Sequence, residues 1–107
     1  MIRVAVAGCA GRMGKTLIQA IEDAPNLTLG AAFEHSESPV LGVDAGVHAG
    51  VGASSVIISA DAESHISDFD AVIDFTAPKA TLSLAHICAN HDKTMVVGTT
   101  GFSALQL

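Results

Sequence analysis

The sequence has no tryptophan, no tyrosine and only four phenylalanines, so its interior has to be built from aliphatic side chains. Ala, Val and Ile supply most of the bulk. That mix suits strands buried on both faces, with small residues where helices approach them. Basic residues are also scarce: five Lys and Arg against eleven Asp and Glu give a formal charge of −6. This balance argues against nucleic acid or an anionic membrane as a partner, while leaving room for a local positive spot that meets one phosphate. Cysteine is limited to Cys9 and Cys88, which match no zinc spacing. A disulfide between them stays open, in a chain without secretory features. No apolar run approaches the roughly 20 residues that span a bilayer. VAGC, ending at Cys9, looks like a lipoprotein cleavage box, but the charged and apolar stretches before it are too short for an export signal. The expected location is the cytoplasm. Repeats and low-complexity segments are missing too.

What is present is one domain's length of alternating strand and helix signals: 107 residues, enough to bury a core without staples. IRVAVA (2–7) is β-branched and apolar almost throughout, which predicts a central parallel strand. After Gly8, Gly11 and Gly14, apolar residues at Met13, Leu17, Ala20, Ile21 and Ala24 recur at helical spacing until Pro25 and Asn26 end the helix. LTLGAAF (27–33) reads as a second strand. Residues 36–54 carry four glycines and little periodicity, and read as a long loop, either a solvated Ω-loop or a mobile flap near a ligand. VII (56–58) reads as a short strand, 60–66 as a helical turn and AVIDFT (71–76) as another buried strand. APKATLSLAHICANH (77–91) reads as a helix with Pro78 in its first turn and with Ala80, Leu84, Ile87 and Cys88 along one face. TMVVG (94–98) is a further strand, and Ser103 caps a new helix inside which the chain stops at Leu107. About five strands alternating with helices predict an α/β fold, a doubly wound parallel sheet with right-handed crossovers. Ending within a helix suggests a piece of a longer chain.

The chemistry concentrates in loops that follow strands. Gly8-Cys9-Ala10-Gly11-Arg12-Met13-Gly14 has the order G-x-x-G-x-x-G, a relative of the dinucleotide fingerprint. The strand must turn sharply at Gly8, phosphate must approach backbone N–H groups near Gly11, and helix and strand must close up at Gly14. The plainer alternative is a glycine turn that merely connects the two elements. Arg12 is either a phosphate-facing or adenine-side group, or an exposed arginine whose charge opposes the helix dipole. Cys9 is either a thiol acidified by that dipole or a small packing residue. Glu34 ends the second strand twenty residues after Gly14, at the distance expected of an acid that accepts from ribose hydroxyls. His35 beside it would weakly offset the repulsion of a 2′-phosphate, which permits NADH and tolerates NADPH. His48, His65, His86 and His91 form no metal-ligand pattern. Asp74-Phe75-Thr76 and Gly98-Thr99-Thr100-Gly101 follow strand ends on the edge where open α/β sheets bind ligands. Asp74 could equally tie its own loop, and the threonines could simply form turns.

Taken together, VAVAGCAGRMG, AAFEH, LGVDAG, IDFT and VVGTTGF resemble the dihydrodipicolinate reductase family, also called 4-hydroxy-tetrahydrodipicolinate reductases, across essentially the whole chain. The resemblance implies a Rossmann-like nucleotide-binding domain over residues 1–107, cut before a second domain for substrate binding and tetramer formation. It implies an NADH- or NADPH-dependent reductase of lysine and diaminopimelate biosynthesis that converts a cyclic dicarboxylic imine precursor to tetrahydrodipicolinate. Carried over by motif, Gly8, Cys9, Ala10, Gly11, Arg12 and Met13 would bind pyrophosphate, with Glu34 and His35 at the adenosine ribose. Gly98, Thr99 and Thr100 would lie near the nicotinamide, and Thr100 and Gly101 near a substrate carboxylate. Where members favour NADPH an arginine often stands at the position of His35, so NADPH preference is in doubt. No catalytic residue falls within the chain, which is expected to bind cofactor without turnover; the full-length enzyme would be a homotetramer acting on a small dicarboxylate. The competing reading is a non-catalytic NAD(P)-sensing module of a regulator.

Overall fold

The computed structural model describes residues 1–98. The expected Ser103-capped helix, and Thr99, Thr100 and Gly101, lie outside the described residues. The elements run β1 (Ile2–Ala7), α1 (Arg12–Asp23), β2 (Leu27–Phe33), α2 (Ala45–Ala49), a 3₁₀ turn (Glu63–Asp68), β3 (Ala71–Asp74), α3 (Pro78–Asn90) and β4 (Thr94–Val97). Among the described residues the four strands are parallel, in the order β2-β1-β3-β4. Successive strands are added first on one side of β1 and then on the other, which makes the gap between β1 and β3 the switch point of a doubly wound, Rossmann-like arrangement.

Alternation along the strands divides the core in two. Val4 and Val6 point to the α1 side, where they meet Ile18, Ile21, Ala32 and Ile58. Ala5 and Ala7 point to the other side, where Phe33, Phe69, Val72 and Leu84 fill the space that their small side chains leave. Phe33 and Phe69 meet edge to face, with centroids 5.8 Å apart. Cys9 belongs to the first cluster and Cys88 to the second, and both thiols are free. The sheet stands between them, so the disulfide left open above does not form.

At the end of the sheet remote from the glycine loop, Arg3 clamps β1 to the entry of β3. Its side chain donates to both Asp70 carboxylate oxygens and to the Ser67 carbonyl, its own N–H donates to Asp70 Oδ2, and Asp70 N–H donates to the Arg3 carbonyl. This charged fork pulls the Asp70 carboxyl down to about 2.

Four expectations need correction. Residues 56–58 are not a strand of the sheet. Ser59 makes a single parallel bridge with Phe33, while Ile58 instead exchanges hydrogen bonds with Gly42 and Val43. The segment 36–54 is not structureless: it holds α2, whose N-terminus is capped by Asp44. That carboxylate accepts from the N–H groups of Gly46, Val47, Ser54 and Ser55 and from the Ser54 hydroxyl, and these bonds, led by Ser54, lower its pKa to about 2. The inner face of α1 is Gly14, Ile18 and Ile21, with Met13 49% exposed and Ala20 exposed. Finally, β4 is not buried on both faces; Val96 and Val97 are 55% and 47% exposed. Among the described residues, no helix is long and apolar enough to cross a membrane.

Candidate functional site

A cleft of about 970 Å³ opens at the carboxyl ends of β1, β2 and β3. Ala7 and Gly8 enter it from β1, Glu34 and His35 from β2, and Asp74 and Phe75 from β3. This is the switch-point crevice in which doubly wound sheets take their ligands.

The glycine loop is shaped by contacts that a side chain would destroy. Gly8 has a φ of +83°, and a Cβ there would collide with the Phe75 carbonyl. A Cβ on Gly14 would strike the Gly8 carbonyl and come within 2.6 Å of Cys9 Cα, because α1 starts hard against the end of β1. Gly11 differs from both. Its nearest neighbour to a Cβ would be the Gly8 carbonyl at 3.6 Å, an ordinary contact. The protein itself has room for a side chain at Gly11, so the open side there is available to a ligand.

Gly11 is also the N-cap of α1, with an extended backbone and no side-chain cap, and the first turn holds no acid. The first N–H groups of a helix have no partner within it, and they carry the positive end of its dipole. Arg12 stands exposed in that turn and adds a full positive charge. Lys15 N–H bonds back to Gly11 O at 3.0 Å, so the helix is regular from its first residue.

Glu34 is brought to this loop directly. Its Oε2 accepts from Ala10 N–H at 2.9 Å and its Oε1 from His35 N–H at 3.1 Å, with the side chain only 12% exposed. The Phe33 carbonyl accepts from Gly8 and Cys9 N–H at 2.9 and 3.3 Å. The end of β2 and the glycine loop are thus joined by three bonds. His35 is 68% exposed, with Nε2 4.0 Å from Glu34 Oε1. Its Nδ1 accepts the Glu37 N–H at 3.3 Å.

Cys9 contributes backbone only. Its thiol is fully buried, and burial, reinforced by the Glu34 charge, pushes it up to about 12. The dipole-acidified thiol is therefore corrected: the side chain points into the core, away from the helix terminus. Asp74 is the loop-tying carboxylate of the two readings above. It is completely buried and accepts from the hydroxyls of Thr76, at 2.7 Å, and Thr81. Gly98 donates its N–H to the Asp74 carbonyl at 2.8 Å and lies so close under the Phe75 ring that a Cβ would overlap it.

The rest of the cleft was not singled out in the sequence. One wall is the outer face of α3, with Ala77, Ala80, Ser83 and Ile87. Periodicity placed Ala80 and Ile87 in the core; in the structure Thr81, Leu84 and Cys88 are the buried residues, and the stripe beside them lines the cleft. The other missed wall is Ala60–Glu63, which follows the Ser59 bridge to Phe33. The signal available for it was position, immediately after a segment that reaches the same sheet edge as Glu34. Among the described residues, no group of His, Cys, Asp and Glu could hold a metal ion.

Comparison with known proteins adds a second line of observation. A family model described as "Dihydrodipicolinate reductase, N-terminus" matches residues 2–107. The chain is 52% identical over 101 residues to the 4-hydroxy-tetrahydrodipicolinate reductase of Saccharophagus degradans, covering 94% of this chain and 38% of that protein. It is 49% identical over 106 residues to the protein of the same name from Syntrophotalea carbinolica, covering 99% and 40%. Among solved structures, the dipicolinate-bound dihydrodipicolinate reductase from Paenisporosarcina sp. TG-14 matches with a TM-score of 0.76 and 27% identity, over 99% of this chain and 40% of that one. The chain thus spans about two fifths of the length of the curated relatives it matches.

Proposed function

The chain belongs to the dihydrodipicolinate reductase family, through that family's N-terminal domain, and from this premise we propose that its cleft binds a nicotinamide dinucleotide, NADH or NADPH, for an enzyme that reduces a cyclic dicarboxylic imine to tetrahydrodipicolinate. The observation that carries the proposal is the meeting of the glycine loop and Glu34 in one cleft at the switch point.

The residues fit the group. The backbone of Gly8 through Met13, at an uncapped helix N-terminus, would hold the pyrophosphate, with Arg12 supplying a positive charge in an otherwise acidic chain. Glu34 would accept from the adenosine ribose hydroxyls, with His35 beside it. The apolar stripe of Ala77, Ala80 and Ile87 suits the flat face of a purine. Gly98, Thr99 and Thr100 would flank the nicotinamide, and Thr100 and Gly101 a substrate carboxylate. When bound, the dinucleotide supplies the hydride; these residues bind and orient it. We assign no catalytic residue to this chain, and the full-length protein is proposed to be a homotetramer. The relatives are named as reductases, so the sensing-module reading is not favoured.

Titration of the 107-residue chain with NADH and NADPH, followed by nicotinamide fluorescence, tests this reading. Saturable binding without reduction of the cyclic imine is expected. Absence of binding by either nucleotide overturns it.

A further inference from the structure

Among the charged groups at the cleft to which the dinucleotide reading gives no role, the Asp61 carboxylate stands beside the end of β2. Glu34 N–H donates to the Ser59 carbonyl at 3.0 Å, and two residues later Asp61 reaches the cleft wall next to the Glu34-His35 segment. We propose that Asp61 is a specificity-determining residue, which disfavours a phosphate on the adenosine ribose and so makes the chain select NADH over NADPH. This rests on the cleft being a dinucleotide site.

Asp61 is held in place. Its N–H donates to Ser59 Oγ at 3.0 Å, and its carboxylate accepts from Ser64 N–H at 3.2 Å and Ser64 Oγ at 2.5 Å, starting the 3₁₀ turn. The Ser64 hydroxyl and N–H bonds lower its pKa, so the charge is present at neutral pH. Glu34 already serves as the acceptor for ribose hydroxyls, so a second fixed carboxylate adds nothing to NADH binding, yet it repels a 2′-phosphate. Glu63 lines the same wall and adds charge of the same sign, with His91 Nε2 3.7 Å away.

The cations that could offset this are committed or remote: Arg12, at the start of α1, is the group assigned to the pyrophosphate. His35 uses Nδ1 as an acceptor for Glu37 N–H. His65 is paired with Asp68 at 2.9 Å. Lys79 lines the cleft from the first turn of α3, beyond β3 rather than beside β2.

The experiment compares NADH and NADPH titrations of the full chain and of Asp61→Asn, at low and at high salt. The reduced nicotinamide is a clean probe, because the protein has no Trp or Tyr. Removing one charge near a doubly charged phosphate is expected to raise NADPH affinity about three- to tenfold, leave NADH affinity unchanged and shrink in effect as salt rises. Ala60→Lys, at an exposed position of the same wall, removes no existing bond and is expected to move the ratio in the same direction. An unmoved NADPH/NADH ratio in both variants, with NADH binding intact, overturns the role of Asp61 alone. Failure of the unaltered chain to bind either nucleotide overturns the dinucleotide reading and this proposal together.

Discussion

Ala10 N–H donates to Glu34 Oε2 at 2.9 Å, joining two residues that lie 24 positions apart in the chain. The acid proposed for the ribose is therefore also a support for the loop proposed for the phosphates. The two ends of the proposed cofactor site are mechanically one unit, hung from the end of β2 by this bond and by the two that reach the Phe33 carbonyl.

Glu34 variants should separate these roles. Glu34→Ala removes both and is expected to weaken NADH binding by about 1–3 kcal/mol, the scale for a hydrogen bond to a charged group. Glu34→Gln keeps an oxygen for Ala10 N–H and should lose only part of that affinity. Amide exchange at residues 9–11 reads the support directly, with faster exchange expected in Glu34→Ala than in Glu34→Gln. Equal exchange in both variants would detach the loop from Glu34.

The glycines should divide in the same manner. Gly14→Ala places a methyl group against the backbone of Gly8 and Cys9 and is expected to cost about 1–3 kcal/mol of folding stability. Gly11→Ala meets nothing closer than 3.6 Å within the protein. Its urea midpoint should stay near that of the parent while nucleotide affinity falls. A large loss of stability at Gly11 would contradict the assignment of its open side to a ligand.

Acid should loosen two regions. Asp44 and Asp70 both have pKa values lowered to about 2, by the Ser54-led donors and by Arg3 respectively. A depressed folded-state value means that the unfolded chain takes up the proton first as pH falls. Their contribution is complete above the ordinary carboxylate pKa near 4 and is lost as pH drops toward 2. Asp70→Asn should flatten the fall of the unfolding midpoint across that window and lower the midpoint at neutral pH. The same measurement applies to Asp44→Asn.

Neither cysteine should react in the folded protein. The Cys9 thiol is pushed up to about 12 by burial and the Glu34 charge, and Cys88 is raised by burial and the Asp74 charge. A thiolate-specific reagent at pH 8 is expected to label both only at the rate of unfolding. Rapid labelling of Cys9 would place its side chain at the loop surface instead of in the core.

Much of the site could be read in advance because its cues are local. β1 announces itself by an apolar run, the loop by three glycines, and Glu34 by its distance from Gly14. The remainder depends on tertiary structure. Five residues give no helical period, and α2 exists through donors to Asp44 that come from Ser54 and Ser55, about ten positions away. Ile58 has strand character, but its backbone bonds go to Gly42 and Val43 and not to the sheet. On α3, an apolar residue facing a purine-sized cleft and one facing the core leave the same imprint on the sequence. Only the packing of Leu84 and Cys88 under the sheet distinguishes Ala80 and Ile87 from them.

The Asp44 hub closes the segment from Asp44 to Ser55 into a ring with a narrow neck. At its tip, Gly50 and Gly52 have positive φ and open space around them. The position of Ser59 beside Phe33 is then set at the neck, and the ring beyond it is free of that duty. Evolution can lengthen or trim the tip without shifting the register that carries Asp61 to the cleft.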